Sequence, residues 1–136
     1  MPDKVFIDSN IIIYAYSVDE PQKLAIARNL LLSYDAILSI QTINEFINVT
    51  RRKKLLTNKQ LSPIIDDLFS LFTIKPIDQK IIQQALLFVE KYQYSYFDSL
   101  MISAALEADC SVLYSEDMHH DHLIEKKLKI INPFAK

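Results

Sequence analysis

Four acids in this chain have the type and setting to do chemistry: Asp8, Glu45, Asp98 and Asp117. Asp8 closes the run Val5-Phe6-Ile7, and Asp117 lies three residues past Val112-Leu113-Tyr114. Asp98 is flanked by Tyr96, Phe97, Leu100, Met101 and Ile102, with no Lys or Arg between Lys91 and Lys126. An apolar setting disfavours a carboxylate that lacks a partner. Clustered carboxylates without basic partners suit a hard divalent cation, Mg²⁺ or Mn²⁺. Such a cation polarises a phosphoryl oxygen and generates hydroxide from water near neutral pH. The residues alone point to an acidic, metal-dependent phosphate site.

Each acid also has a plain structural reading. Asp8 precedes an apolar helical run and would cap it. Asp117, in Tyr114-Ser115-Glu116-Asp117-Met118, is a natural turn residue. Thr42-Ile43-Asn44-Glu45 fits a capping box, with Thr42 as cap. Glu45 would then share a solvated stripe with Gln41, Thr42, Asn48 and Arg52. Ser95 could cap a helix whose first turn holds Asp98, where the helix dipole favours an acid. Both readings stand at the level of single residues.

The elements that must position these acids follow from periodicity. Lys4 to Ile7 reads as a strand, and Asn10 to Tyr16 and Gln22 to Ser33 as helices broken near Glu20-Pro21. Ala36 to Ile40 is a second strand and Gln41 to Lys53 a helix. Ser62 to Leu71 is helical by spacing. Phe72 to Ile77 is a third strand, sent to an edge by Pro76. Asp78 to Tyr92 is a strongly periodic helix, and Asp98 to Ala108 is apolar nearly all round, hence buried. Ser111 to Tyr114 and Lys129 to Asn132 complete about five strands. Strands separated by helices imply an α/β fold: a three-layer α/β/α sandwich around a mainly parallel sheet. Ligands bind such sheets beyond the C-terminal strand ends. Those ends carry Asp8, Ser9 and Asn10 after the first strand, and Ser115, Glu116 and Asp117 after the fourth.

Composition narrows the choices. The chain has 136 residues, which suits a single domain over residues 1–136. It has no glycine, where roughly nine or ten would be usual. A glycine-rich phosphate loop, a dinucleotide fingerprint and a G-x-S-x-G elbow are therefore excluded. The lone Cys110 can form no internal disulfide and reads as core. The start, MPDKVFIDSN, is no signal peptide, and no apolar run is long enough to span a membrane, so a cytoplasmic protein is expected. A net charge of −2 gives no general attraction for polyanions. Any nucleic acid must be held by a local patch or through a cation.

In order, FIDSNIIIYAY, SIQTINEF, YSYFDSLMISAAL, VLYSEDM and KIINPF resemble a PIN-domain protein, most closely the VapC-like ribonuclease toxins of bacterial toxin–antitoxin pairs. The resemblance spans essentially the whole chain. It places the family's acids on Asp8, Glu45, Asp98 and Asp117, with a small hydroxyl residue at Ser115. It implies an α/β/α sandwich, an Mg²⁺ or Mn²⁺ site and endonucleolytic cleavage of RNA. Asp8 and Asp98 would ligate the metal directly, with Glu45 and Asp117 completing the site and Ser9, Asn10 and Ser115 supporting it. It further implies a small antitoxin that blocks the pocket, and a homodimer. Members with this ending commonly carry glycine after the fourth acid, where this chain has Met118-His119-His120-Asp121-His122. That stretch reads as a solvated, mobile loop, with a second metal site on His119, His120 and His122 as the rarer reading.

The basic run Arg51-Arg52-Lys53-Lys54 either complements a helix C-terminus or contacts RNA phosphates. Lys126, Lys127 and Lys129 are a second basic group. A receiver-like phosphoacceptor domain would need paired acids after the first strand and a lysine after the last, and a dehalogenase-like phosphatase an Asp where Asn10 stands. A housekeeping RNA-processing nuclease and a non-catalytic PIN-fold binding module remain as alternatives.

Overall fold

The computed structural model describes residues 4–135. The first three residues of the N-terminal segment read for a leader lie outside the described residues. The elements run β1 (Lys4–Ile7), α1 (Ser9–Ala15), α2 (Pro21–Ser33), β2 (Asp35–Ser39), α3 (Ile40–Arg52), α4 (Asn58–Leu71) and β3 (Thr73–Lys75). They continue α5 (Gln79–Tyr92), α6 (Tyr96–Glu107), β4 (Val112–Tyr114), β5 (Leu123–Ile124) and β6 (Leu128–Ile131).

The strands form one sheet in the order β3-β2-β1-β4-β6-β5. All neighbours are parallel except β5 and β6. The expected α/β sandwich is what forms, with β3 at an edge as Pro76 foretold. The sheet has six strands rather than about five. The extra one, β5, has only two residues, too few to show a periodicity, and it pairs antiparallel through a tight turn. From β1 the chain winds outward through β2 to β3, then returns to place β4 on the other side of β1. The order therefore reverses between β1 and β4, which opens a crevice at their C-terminal ends.

Alternation along β1 divides the core. Phe6 faces one layer, where Ile81, Ala85 and Phe88 of α5 and Met101 and Ala105 of α6 are buried. Val5 and Ile7 face the other, against Ile11 and Ile12 of α1 and Ile43 and Phe46 of α3. Helix α6 is buried without interruption from Ser99 to Ala105, as its apolar character predicted.

The starts of α3 and α4 differ in kind from the sequence reading, whereas the other four helices begin within two residues of it. α3 is capped by Ser39, whose hydroxyl accepts from Thr42 N while Thr42 Oγ1 accepts from Ser39 N. Thr42 is thus the third helical residue, fully buried against the sheet, and is neither the cap nor part of a solvated stripe. Consequently Glu45 has no capping duty. α4 begins at Asn58, four residues early, because Thr57 and Gln60 form the same reciprocal box. Pro63 lies inside that helix rather than at its start.

Without glycine, left-handed backbone falls to other residues: Lys54, Gln93, Asp109, Asp121, Glu125 and Lys126 all have positive φ. Asp121, at φ 68°, makes the turn in the histidine stretch. That stretch is largely solvent-exposed, as expected, and hydrogen-bonds to the fold at two points. His122 Nδ1 lies 2.8 Å from Tyr94 Oη, and His120 Nδ1 accepts from Asn132 N at 2.9 Å.

Candidate active site

The crevice between β1 and β4 holds the acids. Asp8 is the residue after β1 and the N-cap of α1, as its structural reading had it. It is 4% exposed. Its Oδ1 accepts from Ser9 N at 2.7 Å, and its Oδ2 from the buried Ser115 hydroxyl at 2.7 Å. Each oxygen keeps a further lone pair for another ligand. Ser115 Oγ also accepts from Asp117 N at 3.3 Å, so one hydroxyl ties the first acid to the fourth. Asn10 Nδ2 donates to Asp117 Oδ2 at 3.0 Å. On α3, the half-buried Glu45 accepts from Ser9 Oγ at 3.3 Å. Asp98 sits in the first turn of α6, where Ser95 Oγ accepts from its N–H at 3.2 Å, the cap the sequence indicated.

Electrostatics joins the four. Burial pushes the Asp8 carboxyl from 3.8 up to about 7, and the Glu45 and Asp98 charges add to that despite the two hydrogen bonds. Glu45 is raised by burial and by Asp98 and Asp117, against hydrogen bonds from Gln41 and Ser9. Asp98 is raised by burial and by Asp117, against its bond with Ser95. Among the described residues, no ion pair reaches any of the four. Lys23 is engaged by another acid: its Nζ bonds Glu116 Oε2 at 2.6 Å, and Tyr14 Oη donates to Glu116 Oε1 at 2.6 Å. Burial alone would raise the Glu116 carboxyl, but these two bonds outweigh it and lower it. The Tyr14–Lys23–Glu116 network was not foreseen. Glu116 was noted at a strand end, but its partners are 93 and 102 residues away in sequence.

Among the described residues, no three His, Cys, Asp or Glu side chains meet closely enough to enclose an ion. The histidine stretch therefore forms no metal cluster, and the four acids form no closed cage. Their chemistry still fits Mg²⁺ or Mn²⁺. All donors are hard oxygens, they repel one another, and Mg²⁺ typically takes one or two carboxylates and keeps several waters. A closed all-protein cage is not what such an ion needs.

Two hollows flank the acids. The first, about 560 Å³, lies along α1 and is lined by Asn10, Tyr16, Arg52, Lys53, Glu116 and Asp117 among others. The second, about 430 Å³, runs along α3 and includes Ser9, Glu45, Asn48, Arg52, Phe97 and Asp117. The basic run is split. Arg52 borders both hollows and Lys53 the first, whereas Arg51 and Lys54 line a separate depression with Thr57 and Gln60. Lys129 pairs with Asp121, away from the acids.

A family model described as PIN domain matches residues 5–126. No curated protein matches the chain at a significant level. Solved structures share the fold at low identity. The toxin VapC20 of Mycobacterium tuberculosis, described as cleaving the sarcin-ricin loop, is 11% identical with a TM-score of 0.68, over 80% of this chain and 86% of that one. A toxin–antitoxin complex from Klebsiella pneumoniae gives 17% and 0.70, over 96% and 98%. VapBC2 of Rickettsia felis, bound to a promoter DNA fragment, gives 16% and 0.67, over 95% and 99%. At these identities the likeness is one of fold.

Proposed function

The chain belongs to the PIN domain family, and from that premise we propose that it is a metal-dependent endoribonuclease and the toxin of a toxin–antitoxin pair. The observation that carries this reading is the group of four acids at the β1–β4 crevice: Asp8, Glu45 and Asp98 are raised by burial and by neighbouring acids, and among the described residues no ion pair reaches any of the four. Bound there, Mg²⁺ or Mn²⁺ would supply a Lewis acid for a phosphoryl oxygen and a water acidic enough to ionise near neutral pH.

The chain's own residues prepare that site. Asp8 and Asp98 would hold the cation, and Glu45 and Asp117 would complete its surroundings directly or through water. Ser115 fixes the Asp8 carboxylate by donating to Oδ2, and Asn10 fixes Asp117. Such supporting bonds orient ligands and tune their basicity. Arg52 and Lys53, at the rim of the first hollow, would contact RNA phosphates, whereas Arg51 and Lys54 line a separate depression.

A small antitoxin would restrain the enzyme by placing an arginine or lysine among the carboxylates, competing with the cation. Exposed apolar side chains give it, or a second copy in a homodimer, surface to cover: Leu32 is 88% exposed, Leu71 74% and Leu87 68%. Among the described residues no helix is long and apolar enough to cross a membrane, and we place the enzyme in the cytoplasm with its RNA.

Purified protein should cut single-stranded RNA with Mg²⁺ or Mn²⁺ and stop in chelator. Asp98→Asn should lose most of that cleavage. Equal cleavage with and without chelator would contradict the metal-dependent reading.

A further inference from the structure

The hollow along α3 carries features that holding a metal does not require. Gln41, Asn44, Asn48 and Arg52 follow one another at intervals of three, four and four residues, so they share one face of the helix, and all four line the hollow. No hydrogen bond within the described residues engages the Asn44 or Asn48 amides. Phe97 forms part of the same lining and is 54% exposed, large apolar surface left in water next to Asp98. Its ring centroid lies 5.6 Å from that of Tyr96, with the ring planes tilted by 50°. Glu45 and Asp117 close the end nearest the acids.

An aromatic face, free amides and a single guanidinium beside a phosphate-cleaving centre match what an unpaired nucleotide needs. Bases of single-stranded RNA stack on aromatic rings and are read along their edges by hydrogen-bonding side chains. Asn and Gln can donate and accept at once, which suits a base edge. Along its α3 wall Gln41, Asn44 and Asn48 offer three amides beside the exposed Phe97 ring, the pairing of edge-reading groups and stacking surface that a base needs. We propose that the hollow is a nucleobase subsite. The base next to the cleaved phosphate stacks on Phe97, Asn44 and Asn48 read its edge, and Arg52 holds its phosphate. This rests on the ribonuclease reading of the acids and assigns the strand's path and one determinant of base preference.

The chain has no tryptophan, so Phe97→Trp introduces a sole indole at the stacking position. Its fluorescence is read against homopolymeric oligoribonucleotides of A, C, G and U, with calcium in place of magnesium to slow cleavage, and against an abasic strand of equal length. The expected result is saturable quenching by base-bearing strands, ranked by base, with little by the abasic strand. Asn44→Ala with Asn48→Ala should flatten the ranking, and Arg52→Ala should weaken all strands alike. Phe97→Ala should lower kcat/KM for RNA cleavage roughly tenfold to a hundredfold, chiefly through KM, and Phe97→Tyr should restore it. Quenching that is absent, or equal with the abasic strand, overturns the subsite. So does cleavage by Phe97→Ala at the wild-type kcat/KM. A response to a protein partner but to no oligoribonucleotide also overturns it and gives the hollow to that protein. If no metal supports cleavage, the ribonuclease reading fails, yet the quenching series still decides the subsite.

Discussion

Both oxygens of Asp8 accept hydrogen bonds, and still its carboxyl is pushed up to about 7. Burial outweighs two good donors, and neighbouring acids add to it. The sign of the effect on stability follows. Below the ordinary value of 3.8 the carboxyl is protonated in both folded and unfolded chains, and its contribution is intact. As pH rises toward 7 the unfolded chain ionises while the folded one resists, so stability is progressively lost. The full displacement corresponds to roughly 4 kcal/mol. Metal-free protein should therefore melt lower at pH 8 than at pH 5, and Asp8→Asn should lack most of that slope. Thermal melts in chelator across this range check it; identical slopes for both proteins would contradict the account. The position of Asp8 could be read from the sequence because a strand end is visible in a short apolar run. The freedom of Glu45 could not. Ser39-x-x-Thr42 and Thr42-x-x-Glu45 both look like helix starts, and only where β2 ends decides between them.

Helix ends are where local sequence and structure part. Apolar spacing put the start of α4 at Ser62, but the Thr57–Gln60 box satisfies the first-turn donors four residues earlier and leaves Pro63 inside the helix. Left-handed positions left no mark either, because this chain places no glycine at them. Gln93 follows α5 at φ 64°, a conformation that costs a non-glycine residue about 1 kcal/mol or more. Gln93→Gly should therefore raise stability by up to about 1 kcal/mol, a few degrees in Tm, even though it removes a bond to Glu90 O. Gln93→Ala should not. A glycine variant that melts lower than wild type would contradict the left-handed turn. The main elements were readable because their periods are strong: α5 buries Ile81, Ala85 and Phe88 on one stripe, and α6 is buried through seven consecutive residues.

Over the whole molecule, the sheet order turns distant segments into one site. Residues 107 apart in sequence meet in the pairs Ser115–Asp8 and Asn10–Asp117, because β4 returns to lie beside β1. Periodicity gives the layers and the strand ends but not which ends become neighbours, so the Tyr14–Lys23–Glu116 network was out of reach. The same topology resolves the basic run, turning Arg52 and Lys53 toward the acids and leaving Arg51 and Lys54 on another surface. We propose that within this arrangement Asp8, Glu45, Asp98 and Asp117 act as one cation site rather than as separate caps and turns.

The direct test is a melting series with and without Mg²⁺ or Mn²⁺, beside an RNA cleavage assay, for Asp8→Asn, Glu45→Gln and Asp98→Asn. Asn caps a helix about as well as Asp, so these changes remove charge while leaving local structure largely in place. With a shared site, each variant relieves repulsion. Each should melt at or above wild type in chelator, gain less from added metal, and lose most cleavage. Variants that gain as much from metal as wild type does, and still cut RNA, would contradict it.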